Sequence, residues 1–94
     1  MLNAQTGKLP WSELQRHFAR GVVLLVAADL DLIETASRVI QDDKEKVQHW
    51  LDSGQLQRTD LNHARAWESS QPEFWAVVAA PWVLVQEIGG SSEN

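Results

Sequence analysis

The apolar stretch at residues 74–85 constrains this fold more than any other part of the sequence, because only Pro81 interrupts it. The stretch is too short to cross a membrane as a helix, which takes ~20 apolar residues. Its valines and tryptophans favour a β-strand, and we predict one long C-terminal strand over residues 74–86. Proline cannot donate a hydrogen bond to a sheet, so Pro81 must lie at a sheet edge or at a bend. A short helix over residues 74–80 that ends before Pro81 is the alternative interpretation.

Helix and strand signals alternate in the residues before this stretch. Four segments repeat apolar residues at helical spacing and predict helices. These helices begin near Trp11, near Asp31, near Asp42 and at either Thr59 or Asp60. The continuous apolar run at residues 22–28 and the polar–apolar alternation at residues 55–58 predict two further strands. The second and third helices are separated by a turn of a couple of residues, so they form a helix-turn-helix.

The order of these elements resembles that of a winged-helix domain, with an inserted helix at residues 60–70 where the wing loop would be. We therefore predict an α+β fold with a winged-helix-like core and a small antiparallel sheet. A chain of 94 residues has room for one core. We expect a single domain over residues 9–88, a flexible N-terminus over residues 1–8 and a flexible tail over residues 89–94.

The chain contains no cysteine and carries a formal net charge of −5. The absence of cysteine excludes disulfides, thiolate chemistry and zinc sites built on Cys. An acidic surface repels phosphate, which argues against general binding to nucleic acids and to anionic membranes. The N-terminal residues lack the apolar run of a signal peptide, and we therefore expect a cytoplasmic protein that does not associate with membranes.

Several short motifs spread over residues 9–88 carry a family resemblance. The motifs are Trp11-Ser12-Glu13-Leu14, His17-Phe18-Ala19-Arg20-Gly21, Leu30-Asp31-Leu32-Ile33-Glu34, Val47-Gln48-His49-Trp50-Leu51 and Pro81-Trp82-Val83-Leu84-Val85-Gln86, together with Asp42 and Trp67. In combination they resemble a family of short bacterial proteins that is known only as a domain of unknown function. The resemblance implies a stand-alone bacterial cytoplasmic domain, and it implies no activity, cofactor or catalytic residue.

The helix-turn-helix suggests DNA binding as an alternative function, with the third helix in the major groove. The residues that would contact DNA are Arg38, Lys44, Lys46, His49 and Arg58. On the third helix, however, Glu45 and Asp52 share the outward face with His49, so carboxylates would meet the phosphates first. A footprint of roughly six phosphate contacts needs more basic residues than this region offers. A structural role for the two helices is therefore the preferred interpretation.

No segment carries a recognised catalytic or cofactor motif. Glu45, His49 and Asp52 have the spacing of metal ligands on one helix face, but nothing elsewhere completes a site, which favours a solvated face. The serines lack the strained, glycine-flanked setting of a nucleophile, and the glycines lack the spacing of a phosphate loop. We expect no catalytic residue, cofactor or metal, and a small enzyme of unknown chemistry is the third interpretation.

Five tryptophans and no tyrosine are the unusual feature of the composition. Trp11, Trp50 and Trp67 fall on apolar helix faces, so we expect these three side chains to be buried. Trp75 and Trp82 lie seven positions apart, and they point to opposite faces of the sheet if the last strand is regular. A bend between them would change this arrangement.

An exposed tryptophan beside apolar neighbours is typical of a protein–protein anchor, and a small domain gains stability by pairing a long edge strand. We therefore predict an interface at Trp75, Trp82 and Leu84 that binds a second copy of the chain or another protein. The sequence favours a non-catalytic interaction or regulatory domain over the DNA-associated and enzymatic alternatives.

Overall fold

The computed structural model describes residues 7–88. Within them the chain forms four helices and one five-stranded sheet. The elements are β1 (Gly7–Pro10), α1 (Trp11–Ala19), β2 (Val23–Val26), α2 (Leu32–Ile40), α3 (Lys44–Ser53), β3 (Leu56–Arg58), α4 (Leu61–Ser70), β4 (Glu73–Ala79) and β5 (Trp82–Glu87). The α+β class is confirmed, as are all four helices and the strands near residues 22–28 and 55–58.

The sheet has the strand order β1-β4-β5-β2-β3. β5 pairs antiparallel with β4 and parallel with β2, while β2 pairs antiparallel with β3. The prediction of an antiparallel sheet is therefore wrong, because the sheet is mixed. The parallel pair arises because the long connection through α2, α3, β3 and α4 separates β2 from β5 in the sequence, and no short turn fixes their relative direction.

The C-terminal stretch forms a hairpin rather than one long strand. Ala79 pairs with Trp82, and Ala80 and Pro81 form the turn between β4 and β5. Pro81 has no backbone N–H and therefore cannot continue the hydrogen-bonded ladder of a strand. The bend expected at Pro81 is in fact a tight turn, after which β5 runs antiparallel to β4. The helical alternative for residues 74–80 is wrong, because β4 covers nearly all of them.

The first strand, β1, is absent from the sequence-based prediction. Gly7 and Lys8, which were expected to be part of a flexible N-terminus, pair with Ala76 and Trp75 of β4. A four-residue segment that contains both Gly and Pro has low β-propensity, so only its pairing with β4 makes it a strand. The expected flexibility of residues 1–6 and 89–94 falls outside the described part of the chain.

The sheet separates two hydrophobic cores. The α2–α3 core lies on one face and includes Ala36, Trp50 and Leu84. The α1–α4 core lies on the other face and includes Trp11, Trp67 and further apolar residues. Trp11, Trp50 and Trp67 are each at most 4% exposed, which confirms their expected burial. Since α4 covers the sheet together with α1, it does not occupy the place of a wing, and the winged-helix-like arrangement is not confirmed.

Aspartates begin three of the helices. The side chains of Asp31, Asp43 and Asp60 accept hydrogen bonds from backbone N–H groups in the first turns of α2, α3 and α4. The cap of α3 is therefore Asp43 and not Asp42, which has a positive φ of 59°. At the other end of α3, Gly54 closes the helix at φ 83°, where a side chain would be strained. Among residues 7–88, no helix combines the length and apolar character needed to cross a membrane.

Candidate functional site

Trp75 and Trp82 lie on the same face of the sheet. The prediction of opposite faces applied to a regular strand, whereas the hairpin pairs Ala79 with Trp82 and Trp75 with Gln86. Paired residues of neighbouring strands share a face, and alternate residues of one strand do so too. Both tryptophans therefore belong to the face that carries α2 and α3. They lie four positions apart along the hairpin, about 13 Å at the usual strand rise.

A groove opens beside Trp82, between the two helices and the edge of the sheet. Its cavity volume is about 170 Å³. The residues that line this Trp82 groove are Leu24, Val39, Val47, Leu51, Leu56, Arg58 and Trp82. Leu24 and Leu56 are buried and form its floor, whereas Leu51 is 37% exposed at its rim. The groove is thus an apolar depression that solvent reaches from one side.

Arg58 is the one charged residue among those that line the groove. Its guanidinium lies over the Trp82 ring, with Cζ 5.5 Å from the ring centroid, a distance at which a cation is attracted to the ring face. Within residues 7–88, no carboxylate lies within ion-pair distance of Arg58. Arg58 is an exposed residue at the edge of the sheet, so a ligand in the groove can approach its side chain from solvent.

A second depression adjoins the groove at Trp82. It has a cavity volume of about 290 Å³ and shares Val39, Val47 and Trp82 with the first. Its outer wall is polar, because it includes Asp43, Lys44 and other residues near the start of α3. Trp82 is therefore half-buried between an apolar groove and a polar shelf.

A third depression lies where the parallel strands β2 and β5 end. It is lined in part by Gln57 and Gln86 and has a cavity volume of about 170 Å³. The carboxyl ends of parallel strands are common ligand sites. Here, however, the Gln86 amide donates to the carbonyls of Ala27 and Leu30 at 2.7 and 2.8 Å, and Gln57 donates to a third backbone carbonyl. These amide donors hold the loops and are already occupied.

Arg38, one of the residues expected to contact DNA, forms internal ion pairs. Its guanidinium lies 3.0 Å from the Glu34 carboxylate and 3.3 Å from that of Asp43. The hydrogen bond and the charge of Glu34, with a smaller contribution from Asp43, raise the pKa of Arg38 above its ordinary value. Arg38 thus joins α2 to the start of α3, and a phosphate would have to compete with two carboxylates.

The other four residues expected to contact DNA do not form one basic surface. Lys44 and His49 are exposed on a shallow surface of α3 that also carries Glu45 and Asp52. The Lys46 ammonium lies 5.6 Å from the centroid of the Trp50 ring, and Arg58 lies at the groove. The structure therefore mixes these bases with acids. Within residues 7–88, no three His, Asp or Glu side chains are placed to hold a metal ion together.

The three residues predicted to form an interface have different environments. Leu84 is fully buried in the α2–α3 core and has no surface for a partner, so its assignment to an interface is wrong. Its position in the central strand β5, between β4 and β2, explains its burial. Trp75 is 38% exposed, and the Lys8 ammonium lies 5.3 Å from its ring centroid. Trp82 lines a concave surface, the groove.

The sequence did not identify Val39, Val47 and Leu51 as walls of a groove. They belong to the apolar stripes of α2 and α3, which the sequence assigns to the core. The stripe of α3 holds one fully buried residue, Trp50, whereas Leu51 stays at the rim. The sequence does show that the apolar stripe of α3 contains more residues than the core can bury. The packing of α2 against α3 determines which of these residues line a groove.

Comparison with known protein families identifies one family. The model of the family described as "Protein of unknown function (DUF2288)" matches residues 1–87. The NMR solution structure of PA1075 from Pseudomonas aeruginosa superposes with a TM-score of 0.84 at 42% sequence identity, covering 96% of this chain and 83% of that one. None of the curated proteins matches the sequence. The resemblance to a family of unknown function is confirmed, and the chain belongs to the DUF2288 family.

Proposed function

We propose that this chain is a non-catalytic interaction or regulatory domain of the bacterial cytoplasm that binds another protein in the Trp82 groove. The observation that carries the proposal is the composition of the groove, in which six apolar residues surround a single charged one, Arg58. A concave apolar surface with very few polar groups is the usual form of a binding site. Trp and Arg are also the residues that most often dominate the energy of protein interfaces.

The size of the groove supports a protein partner over a cofactor. Its volume of about 170 Å³ is smaller than the roughly 300–1,000 Å³ of typical small-molecule sites. It is close to that of an apolar cavity of about 150 Å³ that holds one benzene molecule. The groove therefore has room for one apolar side chain of a partner, and the rest of the partner would lie on the surrounding surface.

We further propose that the partner is a different protein rather than a second copy of the chain. Residues 29–58, which include α2 and α3, contain more acidic than basic residues. A two-fold dimer through this face would place the same acidic surface on both sides of the interface, and like charges oppose such contacts. Sedimentation equilibrium of the purified chain tests this point, and we expect a monomer at micromolar concentration.

A DNA-associated regulator is the second candidate function. The short turn between α2 and α3 and the exposed side chains of Lys44 and His49 favour it. The ion pairs of Arg38 and the carboxylates on α3 weigh against it. Fluorescence anisotropy with random duplex DNA at low salt separates the two candidates. We expect no binding at tens of micromolar protein.

The test of the proposed function is capture of partners from bacterial lysate by three forms of the immobilised chain. Leu51→Lys places a charge at the rim of the groove, whereas Leu61→Lys makes the same change on α4, at the opposite face of the sheet, where Leu61 is 70% exposed. We expect the wild-type chain and Leu61→Lys to capture the same protein and Leu51→Lys to lose it. Equal capture by all three folded forms would exclude the groove as the binding site.

A further inference from the structure

We infer that the partner residue in the Trp82 groove is a medium-sized apolar side chain that lies directly beside a carboxylate, and that Arg58 binds this carboxylate. The inference rests on the proposed function and specifies the chemistry of its partner. It starts from the observation that Arg58 is the one cation in an otherwise apolar lining and has no carboxylate partner among residues 7–88. The groove thus combines two recognition elements within the reach of one or two partner residues.

Arg58 is available for a ligand in a way that Arg38 is not. Arg38 already has two carboxylates within 3.3 Å, whereas none within residues 7–88 reaches Arg58. The backbone of Arg58 is fixed by its pairing with Leu24 of β2. Its guanidinium lies over the Trp82 ring, with Cζ 5.5 Å from the ring centroid. A guanidinium presents a planar set of N–H groups that matches a carboxylate with two parallel hydrogen bonds.

The surroundings of Arg58 strengthen such a contact. Leu51, Leu56 and Trp82 are apolar neighbours in the groove, and a bound apolar side chain would displace water from it. Charges attract one another more strongly where water is excluded than on an open surface. A partner that fills the groove without supplying a carboxylate would leave the guanidinium partly desolvated, which disfavours it.

The volume limits the apolar part of the ligand. A cavity of about 170 Å³ accepts a group near the size of benzene, which corresponds to a Leu, Ile, Met or Phe side chain. Charge complementarity selects the neighbouring group, because Arg58 contributes the only charge among the residues that line the groove, whereas the carboxylates of this face line the neighbouring surfaces. The partner is therefore a protein segment with an apolar residue next to an acidic residue.

The test uses two small probes that differ only in charge. N-acetyl-leucinate carries the apolar side chain and a carboxylate, and N-acetyl-leucinamide carries the same side chain and a neutral amide. Each is titrated to tens of millimolar into the 15N-labelled chain, with the Trp82 indole N–H signal as the reporter. We expect N-acetyl-leucinate to bind at least about fivefold more tightly. This preference should vanish in Arg58→Gln and persist in Arg65→Gln, a matched change of an exposed arginine on α4.

The outcomes distinguish this inference from the proposed function. Equal shifts of the Trp82 signal by both probes would overturn the role of Arg58 and leave the groove as an apolar site. Shifts confined to signals outside the groove, or no shift with either probe, would also overturn the inference. The proposed function is tested separately, by whether Leu51→Lys and Leu61→Lys capture the partner protein from lysate. If a folded Arg58→Gln variant still preferred N-acetyl-leucinate, a residue other than Arg58 would bind the carboxylate, and the inference would be wrong.

Discussion

The side chains of Arg58 and Trp82 lie close together although a third strand separates the strands that carry them. Arg58 ends β3 and Trp82 begins β5, and β2 lies between these strands in the sheet. The guanidinium Cζ is nevertheless 5.5 Å from the Trp82 ring centroid. Their contact therefore spans the floor of the groove above Leu24, which lines it from β2. It connects the edge of the sheet to the turn of the β4–β5 hairpin.

The contact between these two side chains predicts a measurable coupling. We expect Arg58→Ala to lower the free energy of unfolding by about 0.5–1 kcal/mol in the wild-type chain, the usual range for a cation over a ring at an exposed site. In the Trp82→Leu background the same change should have little effect. Urea denaturation of the two single variants and the double variant gives the coupling free energy. Strictly additive effects would show that the ring and the guanidinium do not interact in solution.

The α1–α4 core predicts that two tryptophans differ sharply in their contribution to stability. Trp67 is 3% exposed, and its ring centroid lies 5.4 Å from that of Trp11 and 4.9 Å from that of Phe74. We expect Trp67→Ala to lower the free energy of unfolding by about 3–5 kcal/mol, since it leaves a cavity. Trp75→Ala should cost about 1 kcal/mol or less, because Trp75 is 38% exposed.

Chemical denaturation followed by circular dichroism compares the two variants. The domain is small, and domains of its size commonly have only 5–15 kcal/mol of stability. Trp67→Ala should therefore lose a large share of this stability and unfold at a much lower denaturant concentration, whereas Trp75→Ala should unfold close to the wild-type midpoint. Similar losses in the two variants would contradict the assignment of Trp67 to the core and Trp75 to the surface.

The helices could be predicted from the sequence because their signals are local. The apolar spacing and the aspartates at Asp31 and Asp60 identify where α2 and α4 begin. The strand pairing could not be predicted in the same way. β1 gains its identity from β4, more than sixty positions away in the sequence, and the parallel pairing of β2 with β5 is equally non-local. Single-strand patterns do not contain such information.

The candidate site was predicted in separate pieces. The sequence predicts Trp82 in a protein interface and Arg58, under the alternative interpretation, on a DNA-binding surface, and it contains no signal that connects them. The hairpin turn and the strand order place both residues in one groove. Leu84 follows Trp82 by two positions and lies on the same face, but α2 covers it. Leu84 is buried and Trp82 is half-buried because the helices cover only part of this face. The alternation of apolar and polar residues along a strand does not reveal which part is covered.

The N-cap of α4 predicts a dependence of stability on pH. The Asp60 carboxylate accepts hydrogen bonds from the backbone N–H groups of His63 and Asn62, and the bond from His63 contributes most to lowering the pKa of Asp60 below its ordinary value. A group whose pKa is lowered in the folded state stabilises it above the unfolded pKa, which is about 3.9 for Asp. This contribution is lost as the pH falls through the folded value.

The matched variant for this prediction is Asp60→Asn, which retains a capping side chain but does not titrate. We expect the wild-type chain to have the higher melting temperature at pH 7. The difference should shrink as the pH falls below about 3.9, the pKa of an unfolded Asp, and through the lower pKa of Asp60 in the folded chain. Thermal denaturation of both proteins between pH 2.5 and pH 7 measures it. A difference that stays constant over this range would show that the charge of Asp60 does not contribute to the cap.

Site-specific photo-crosslinking in living bacteria tests the central claim, that a protein partner occupies the Trp82 groove, most directly. The photoreactive residue p-benzoylphenylalanine replaces either Gln48, exposed on α3 beside the groove, or Gln15, exposed on α1 at the opposite face of the sheet. We predict a crosslinked product with one defined protein from position 48, its loss when Leu51→Lys is added, and no such product from position 15. Identical products from both positions, or none from position 48, would contradict the account.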